Sequence, residues 1–349
     1  MRSTVCRIVR DDIALNPFLV AQLRHMVYTK SLWRVAGFSV ATLILASVAA
    51  TLQCFPWDTD PQVDQSASGG AKDYYVKAYS GLESSVSAGA KTDLAPLSAK
   101  EQIYVDTARR AAKESRIPEM VHRFVGDTGL GGKRVLEVGA GSGLLQDAVT
   151  DYTGLDISPT ARRFFHKPFV EASATDMPFP NNTFDGVWSI WVLEHIPNPE
   201  KALLEIRRVV KAGGYLLLYP ATDVSRYAAQ GYGVRSYGDF DWKGKLIKAT
   251  MPLAHSRVFH YLQYHQVRLL RWAGVGLVGG PSRLHFIRLT PNYDQYWVPD
   301  SDATTSVSFH ELYLWFTSRG DYCLNCPSAA VMTIRDPPLE GLVIQIRKH

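Results

Sequence analysis

The sequence has few cysteines and little excess charge of either sign. Only 4 of its 349 residues are cysteine, which excludes a small secreted domain held together by disulfides. The formal net charge of +5 is too small by itself to indicate a nucleic-acid-binding protein. No internal repeat is visible. Hydrophobic residues make up 46% of the chain, so a wholly disordered protein is excluded and one large domain or two smaller ones are expected.

One long stretch lacks charge altogether. No residue from Val35 to Trp57 is charged, and this run is long enough to cross a bilayer, which needs about 20 residues. We expect residues 1–34 to form a basic N-terminal segment and residues 35–57 a single transmembrane helix. A helix buried in a soluble domain and a cleaved signal peptide beginning at Met26 are the alternatives. The predicted location is therefore the membrane, with a single pass.

The chain beyond the apolar run divides into a linker and a domain. Residues 58–98 are rich in Ser, Gly, Ala and Asp, which predicts a flexible linker with a short ordered piece at Asp73–Tyr79. A helix is expected from Ala99 to Val125, because small and apolar residues recur along it at helical spacing. Residues 99–349 are then the folded domain.

The most informative stretch is a strand-like run followed by glycines. Val135–Val138 predicts a buried strand, and a helical pattern follows the glycines. Gly139, Gly141 and Gly143 predict a tight turn against which a ligand can lie. Asp156 ends a second predicted strand, Asp151–Leu155, where a carboxylate can accept hydrogen bonds from both hydroxyls of a ribose. The sequence therefore predicts a site for an adenosine-containing cofactor.

The identity of that cofactor depends on a missing glycine and an extra acid. A dinucleotide site has a third glycine where this chain has Leu144. Glu137 precedes the turn, and its negative charge would repel a pyrophosphate but attract a cationic ligand. These two features argue against a dinucleotide and for S-adenosylmethionine, whose sulfonium group is positively charged.

Further motifs follow in order along the chain: Ala174–Phe179, Asn181–Ser189, Ile190–Ile196 and Arg207–Leu218. With the glycine turn, they resemble a class I S-adenosylmethionine-dependent methyltransferase of the small-molecule group over about residues 120–222. The resemblance implies an enzyme with an α/β fold. Its Rossmann-like sheet would have seven strands, with an antiparallel hairpin as the last pair. The N-terminal hydrophobic helix expected from residues 35–57 would be an addition to this fold. The expected divisions are a cofactor-binding core at 120–222, an inserted substrate cap at 223–325 and a C-terminal strand pair at 326–349, built from Ala329–Ile334 and Leu342–Arg347.

The resemblance also implies roles for single residues. Asp156 would bind the ribose, and Asp176 would accept from the adenine amino group. The residues expected to bind S-adenosylmethionine are Glu137, Gly139, Ala140, Gly141, Gly143, Asp156, Ile157, Asp176, Met177, Ser189 and Trp191. His195, after the fourth strand, and Asp223, after the fifth, are the candidate general bases. The alternative for His195 is a packing role beside a backbone carbonyl. No metal is expected, because Cys323 and Cys326 supply only half a zinc site.

The expected cap is basic and aromatic. Asp223–Tyr293 contains ten lysines and arginines but three aspartates, a local net charge of +7. Within it, Ala254–Trp272 predicts a basic amphipathic helix with Leu269 and Trp272 on its apolar side, a type that lies in membrane interfaces. A later segment, Tyr296–Asp302, resembles bacterial methyltransferases of the surface-polysaccharide type. There Asp300 and Asp302 could bind sugar hydroxyls.

These features predict methyl transfer from S-adenosylmethionine by in-line displacement. The acceptor is expected to be a small molecule that is lipid-like, lipid-linked or a glycan. The alternatives are a binding module without activity on the same scaffold and an RNA methyltransferase. Nucleic acid is not expected as a partner, because Ser189–Val192 stands where enzymes that methylate base amino groups carry Asn/Asp-Pro-Pro-aromatic. The oligomeric state and the side of the membrane remain open.

Overall fold

The computed structural model describes residues 65–79, 99–222, 224–254, 256–294, 299–334 and 340–348, together with Ile44. The remainder of the predicted transmembrane helix lies outside the described residues, as do Asp223 and Trp297. In the described ranges, no helix is long and apolar enough to span a bilayer. The chain separates into two units, Met1–Leu52 and Gln53–His349, and every element described below belongs to the second.

Seven of the nine described strands form one central sheet. The strands are β1 (Arg134–Val138), β2 (Asp151–Asp156), β3 (Phe169–Glu171), β4 (Phe184–Ile190), β5 (Val210–Tyr219), β6 (Ile287–Arg288), β7 (Thr305–Ser306), β8 (Tyr322–Cys323) and β9 (Leu342–Gln345). The sheet order is β3-β2-β1-β4-β5-β9-β8, and β6 pairs with β7 separately. The first five strands are parallel, whereas β9 runs antiparallel to both β5 and β8. The predicted Rossmann-like sheet with an antiparallel last pair is confirmed.

The strand that pairs with β9 is not the predicted one. Ala329–Ile334 forms a helix instead, in which the Met332 amide donates to the Ser328 carbonyl at 3.0 Å. Alanine and methionine favour helix, and Met332 is fully buried. The observed partner is Tyr322–Cys323, which is too short to produce an alternating pattern in the sequence.

Eight α-helices are described: α1 (Gln65–Tyr79), α2 (Ala99–Glu114), α3 (Ile117–Thr128), α4 (Pro199–Val209), α5 (Trp242–Ala254), α6 (Arg257–Val278), α7 (Phe309–Thr317) and α8 (Ala329–Ile334). The single helix expected from Ala99 to Val125 is two helices. Arg116 interrupts it with a φ of 55°, and Pro118 follows in the first turn of α3. In an unbroken helix Pro118 could not donate to the Glu114 carbonyl and its ring would clash with that carbonyl, whereas a first helical turn accepts proline, so the break has a local cause. α1 lies within the range expected to be a linker.

The connection from β1 to β2 contains no helix, contrary to the predicted helical pattern. Residues 142–150 form successive turns, in which the Gly143 amide donates to Ala140 and the Gln146 amide to Gly143. The Gln146 side chain stabilises the turns by donating to the carbonyls of Gly143 and Phe164, both at 3.0 Å. Leu145 and Val149 are buried in the core below. The connection therefore buries its apolar side chains without a full helix.

The core consists of two layers, one on each face of the sheet. Val187 and Leu216 belong to the layer that contains α4 and α7, whereas Trp188 and Leu217 belong to the layer that contains α3. Successive strand residues point to opposite faces, so β4 and β5 contribute to both layers. Both faces are covered, as expected for a parallel sheet. This places the loops at the carboxyl ends of the strands on a rigid base.

Candidate active site

A cavity of about 250 Å³ lies at the carboxyl ends of the parallel strands. In open α/β sheets this edge is where ligands bind. Loops after β1, β2, β3 and β4 line the cavity, and α1 closes it from outside with Ala71 and Tyr75. The lining residues used below are Gly139, Asp156, Ile157, Ala172, Ser173, Ala174, Thr175, Trp191, Val192 and His195.

The turn after β1 brings its backbone directly to the cavity wall. Gly139 has a φ of 74°, and its amide donates to the Leu155 carbonyl at 2.8 Å. A Cβ atom at this position would lie 2.1 Å from Cγ2 of Val192, so no side chain fits. Gly141 and Gly143 also have positive φ, as the sequence pattern requires. Gly139 therefore lets the turn pack closely against Val192, and it is the one of the three glycines that lines the cavity.

Asp156 lies at the end of β2 and joins this turn to the next loop. Its Oδ2 atom accepts from the Gly141 amide at 2.8 Å, and its Oδ1 atom accepts from the Ser158 amide at 2.9 Å. Burial raises the pKa of Asp156, although these backbone hydrogen bonds oppose that effect. The Ile157 amide is a third backbone donor to this carboxylate, whose two oxygens have about four lone pairs in all. Asp156 can therefore order the loop and still accept from a ribose hydroxyl.

Glu137 lies behind the glycine turn and does not line the cavity. It is buried, and the hydroxyl of Tyr152 donates to its Oε2 atom. Burial raises the pKa of Glu137 to about 8, despite the hydrogen bond from Tyr152. The sequence predicted a contact with the methionine end of the cofactor, but in the structure Glu137 is buried and is not part of the cavity wall.

The remaining predicted binding residues divide into two groups. Ile157 and Trp191 line the cavity, and Trp191 is fixed by its amide, which donates to the Tyr219 carbonyl at 2.8 Å. The others do not line it: Asp176 is exposed, whereas Ala140, Met177 and Ser189 are buried. Residues 172–175 form the wall that had been assigned to Asp176 and Met177. They lie at the end of β3, beside the predicted motif.

His195 is at the cavity wall, between two acidic side chains. Its Nδ1 atom lies 3.6 Å from Oδ2 of Asp302, and its Nε2 atom lies 3.9 Å from Oε1 of Glu194. Burial alone would lower the pKa of His195. The negative charges of Asp302, Glu194 and also Asp300 outweigh burial, so this pKa is raised above its ordinary value of 6.5. The imidazole is thus a stronger base than a free histidine.

Asp302 is held in turn by Tyr75, from the far end of the chain. The Tyr75 hydroxyl donates to Oδ2 of Asp302 at 2.7 Å, and its ring lies edge-on to the His195 ring at 5.9 Å. Two hydrogen bonds dock α1 onto the core, because Ser158 and Thr160 donate from their hydroxyls to the backbone carbonyls of Tyr75 and Val76, each at 3.1 Å. The sequence had assigned Asp302 to sugar hydroxyls and gave no role to Tyr75.

A second acid beside His195 was also missed. The Glu194 side chain is fully buried, and burial raises its pKa to about 7 although His195 opposes this. One oxygen each from Glu194 and Asp300 and one ring nitrogen of His195 lie within 4.8 Å of one another. The other sequence candidate for the base, Asp223, lies outside the described residues. The carboxyl groups of Glu194, Asp300 and Asp302 therefore surround the imidazole of His195.

The cysteine pair considered as half of a zinc site forms a disulfide. Cys323 and Cys326 are bonded to each other, with their Cα atoms 5.5 Å apart. Cys323 belongs to β8, at the edge of the sheet, and Cys326 follows in the loop. This pair is not part of the cavity lining.

Comparison with known proteins identifies the family. A family model described as a methyltransferase domain matches residues 136–218. The ubiquinone/menaquinone biosynthesis C-methyltransferase UbiE of Cupriavidus taiwanensis is 30% identical over 180 residues, which cover 44% of this chain and 74% of that protein. The chain belongs to the class I S-adenosylmethionine-dependent methyltransferases. The predicted class, an enzyme and S-adenosylmethionine as its cofactor are confirmed, whereas the resemblance to the surface-polysaccharide type stays a prediction.

Two further proteins, one curated relative and one solved structure, are similar to this methyltransferase. A probable phthiotriol/phenolphthiotriol dimycocerosates methyltransferase of Mycobacterium ulcerans is 32% identical over 181 residues, or 46% of this chain and 69% of that protein. A solved putative methyltransferase from Bacillus halodurans is 27% identical and has a TM-score of 0.28. The matched part covers 32% of this chain and 58% of that one.

The residues of the cavity fit the methyl donor. Gly139 lines the cavity without a side chain, and Asp156 and Ile157 on the same wall are positioned to hold the ribose and the adenine. When bound, S-adenosylmethionine supplies a methyl group already activated by the sulfonium charge. The protein then has to position the acceptor, exclude water and, for a weakly acidic acceptor, remove a proton.

Proposed function

We propose that this methyltransferase methylates a hydroxyl oxygen of a lipid-like acceptor, with His195 as the general base. The observation that carries the proposal is the position of His195 on the cavity wall beside Asp302. A hydroxyl is a poor nucleophile until its proton is removed, whereas a carboxylate or a stabilised carbanion needs no strong base. An imidazole of raised pKa among three carboxylates suits the first task.

The proton follows a defined route in this proposal. In this route the neutral imidazole carries its proton on Nδ1, toward Asp302, and Nε2, which lies 3.9 Å from Oε1 of Glu194, takes the proton of the acceptor hydroxyl. The oxygen forms its bond to the methyl carbon as the bond from that carbon to sulfur breaks, and the thioether product leaves. Asp302 stabilises the imidazolium that results, until the proton passes to solvent.

The lipid-like character of the acceptor rests on the lining and on the relatives. Apolar side chains of Ala71, Trp191, Val192 and Ile196 border the cavity next to His195. One similar protein acts in ubiquinone and menaquinone biosynthesis, and another is named for phthiotriol dimycocerosates. An acceptor with an apolar body and a single reactive hydroxyl fits this lining.

A panel of four acceptors tests the proposal. The full chain is incubated with S-adenosylmethionine labelled in its methyl group and with a long-chain alcohol, a fatty acid, a polyprenyl hydroquinone or a long-chain alkyl glycoside. We expect label on the alcohol oxygen. Transfer only to ring carbon or only to the fatty-acid carboxylate would overturn the hydroxyl assignment, and transfer only to the sugar would favour the glycan alternative. A parallel series with EDTA tests whether a divalent cation at the Glu194, His195 and Asp300 groups is required.

We further propose that the protein is a single-pass membrane protein anchored by residues 35–57. An apolar acceptor dissolves in the bilayer, so an enzyme tethered there meets it at a high local concentration. The test is fractionation of the full chain and of a variant that lacks residues 35–57. We expect only the full chain to resist extraction by carbonate. Extraction of both would contradict the anchor.

A further inference from the structure

Exposed apolar side chains are concentrated in the cap. Among the described residues, 15 large apolar side chains are exposed, and nine of them lie between Val234 and Val278. The nine are Val234, Tyr237, Trp242, Leu246, Leu269, Leu270, Trp272, Leu277 and Val278. Single exposed apolar residues are ordinary on soluble proteins, but a concentration in one segment marks an interaction surface.

From residue 265 onward, helix α6 has its arginines inward and its leucines outward. Arg268 is buried, and Arg271 lies 3.2 Å from Oε1 of Glu311 on α7. Leu269 and Leu270, next to them in the sequence, are 44% and 72% exposed. A helix on a water-soluble surface has the opposite arrangement, with its apolar stripe toward the core. The outer face of α6 therefore suits a medium less polar than water.

The inward arginines have a specific structural role that explains this orientation. Arg271 also donates to the Ser282 hydroxyl at 2.8 Å and to the Arg283 carbonyl at 2.7 Å. Burial, Arg268 and Arg271 lower the pKa of His310 to about 3, so His310 stays neutral between the helices. These contacts fix the rotation of α6 about its own axis, which keeps the leucines on the outside.

The same region carries lysines beside its exposed aromatic rings. Lys243 lies 5.6 Å from the Trp242 ring, and Lys248 lies 5.2 Å from the Tyr237 ring. From Val234 to Val278 there are seven lysines and arginines and two aspartates. Without the inward Arg268 and Arg271, the local net charge is +3. Tryptophan, tyrosine and lysine are the residues that prefer the boundary between headgroups and acyl chains.

We propose that the outer surface of α5 and α6, the cap surface, docks onto a bilayer that contains anionic phospholipid. The inference rests on the proposed function, since a lipid-like acceptor would be taken up from that bilayer. A second copy of the cap surface would bring two positive surfaces together, which is unfavourable. The chain's own run 35–57 carries no charge and would leave the lysines without partners. An anionic bilayer satisfies both the leucines and the lysines.

The experiment places a fluorescent label on the cap surface of the full chain. Leu277, which is 87% exposed, is changed to cysteine in a chain that carries Cys6→Ser and Cys54→Ser. Cys323 and Cys326 are bonded to each other and do not react. The matched control carries the label at Leu204 on α4, which is 49% exposed. Both proteins are added to phosphatidylcholine vesicles with and without phosphatidylglycerol, doped with spin-labelled lipid.

We expect quenching of the label at 277 with anionic vesicles to exceed quenching at 204 at least severalfold. Lys243→Gln with Lys245→Gln should weaken the quenching at 277, whereas the pair Lys113→Gln and Lys133→Gln, which removes the same charge elsewhere, should not. Equal quenching at 277 and 204 would overturn the proposal. A label at 277 that is buried from solvent before vesicles are added would also overturn the proposal. If that burial depends on protein concentration, a second copy of the chain covers the cap surface; if it does not, residues 35–57 cover it.

The outcome is independent of methyl transfer. The label reports lipid contact in the absence of donor and acceptor, so the cap surface can be refuted while the acceptor panel still shows transfer to a hydroxyl. Conversely, quenching at 277 together with transfer only to a carboxylate would sustain the surface and refute the proposed function.

Discussion

The Nδ1 atom of His195 lies 3.6 Å from Oδ2 of Asp302, and the Tyr75 hydroxyl donates to the same oxygen at 2.7 Å. The three residues come from the loop after β4, from the cap and from α1. The base is therefore assembled only when all three parts of the fold are in place. Its raised pKa is a consequence of that assembly, because the acids responsible lie on two of these parts.

Asp302→Asn should weaken the base and change its pH dependence. His195 accepts a proton only when neutral, so the rate of transfer to a hydroxyl rises with pH through the pKa of His195. Without the charge of Asp302 that pKa falls, and the rise should move to lower pH. The plateau rate should fall on the order of tenfold to a hundredfold, since a weaker base removes the proton less well. The measurement is kcat/KM against pH.

A matched control for this variant is Asp185→Asn. Asp185 pairs with Lys211 at 2.8 Å near the amino end of β4, away from the cavity at the carboxyl ends of the strands. This change should leave both the plateau and the position of the pH profile unaltered. If Asp302→Asn has the profile of the wild type, Asp302 does not act on His195.

Tyr75→Phe should shift the same profile in the opposite direction. Without the phenol hydroxyl, the negative charge of Asp302 is less stabilised and attracts the imidazolium more strongly, so the pKa of His195 rises. The helix should stay docked, because its contacts with Ser158 and Thr160 use backbone carbonyls. The pH profile should therefore move to higher pH. In the background of Asp302→Asn the shift should vanish, and a shift that persists would place the effect elsewhere.

Gly139→Ala should weaken donor binding, whereas Gly213→Ala should not. Both glycines have positive φ, at 74° and 79°, so either alanine costs ~1–2 kcal/mol in backbone strain. Only at Gly139 would the Cβ atom collide, at 2.1 Å from Val192, because nothing lies within 4 Å of a Cβ atom at Gly213. Calorimetry should give at least a tenfold weaker Kd for S-adenosylmethionine in the first variant and an unchanged Kd in the second. Because Val192 lines the cavity, equal Kd values would show that its packing against the Gly139 turn does not shape the donor site.

Glu137→Gln should stabilise the ligand-free protein at alkaline pH. The pKa of Glu137 is about 8 in the folded protein, above its ordinary value of 4.5. Between these values the folded state keeps a proton that the unfolded state has lost, so stability falls as pH rises through this window. One pKa unit corresponds to ~1.4 kcal/mol. The glutamine variant should lose this pH dependence, and its Tm at pH 8 should exceed that of the wild type.

The opposite sign is expected at Glu205, which serves as the control. Arg208 donates to this carboxylate at 2.7 Å and lowers its pKa. The pair stabilises the fold above the ordinary pKa of glutamate, and the contribution is lost as pH falls through the lowered value. Glu205→Gln should therefore lower Tm at pH 8. Equal responses of the two variants to pH would show that Glu137 is not buried as described.

The sheet was predictable because its signals are local. The buried run Val135–Val138, the glycine turn and Asp156 each depend on a few neighbouring residues, and parallel strands buried on both faces read as apolar runs. The two-residue strand β8 and the break at Arg116 gave no periodic signal, so the sequence placed a strand at Ala329–Ile334 and one long helix at Ala99–Val125. The missing helix after Gly143 depends on how Leu145 and Val149 pack below the turn.

The candidate site was predictable where residues lie beside the motifs, and not where it joins distant segments. His195 was found because it follows β4. Its partners were not, because Asp302 belongs to an insertion whose path is set by tertiary packing, and nothing in the sequence places the short ordered piece that contains Tyr75 beside the site. For Glu137 the sequence correctly placed the residue just before the glycine turn, but it could not show that the side chain is buried below the turn and away from the cavity.

The most direct test of the account is a single-turnover measurement on His195→Gln. The variant is saturated with methyl-labelled S-adenosylmethionine, and transfer to the long-chain alcohol of the panel is followed over time. The account predicts a rate lower by a factor on the order of 10²–10⁴, with a donor Kd within about twofold of the wild type. A transfer rate equal to that of the wild type would contradict His195 as the base. If the variant no longer binds S-adenosylmethionine, His195 has a role in donor binding instead.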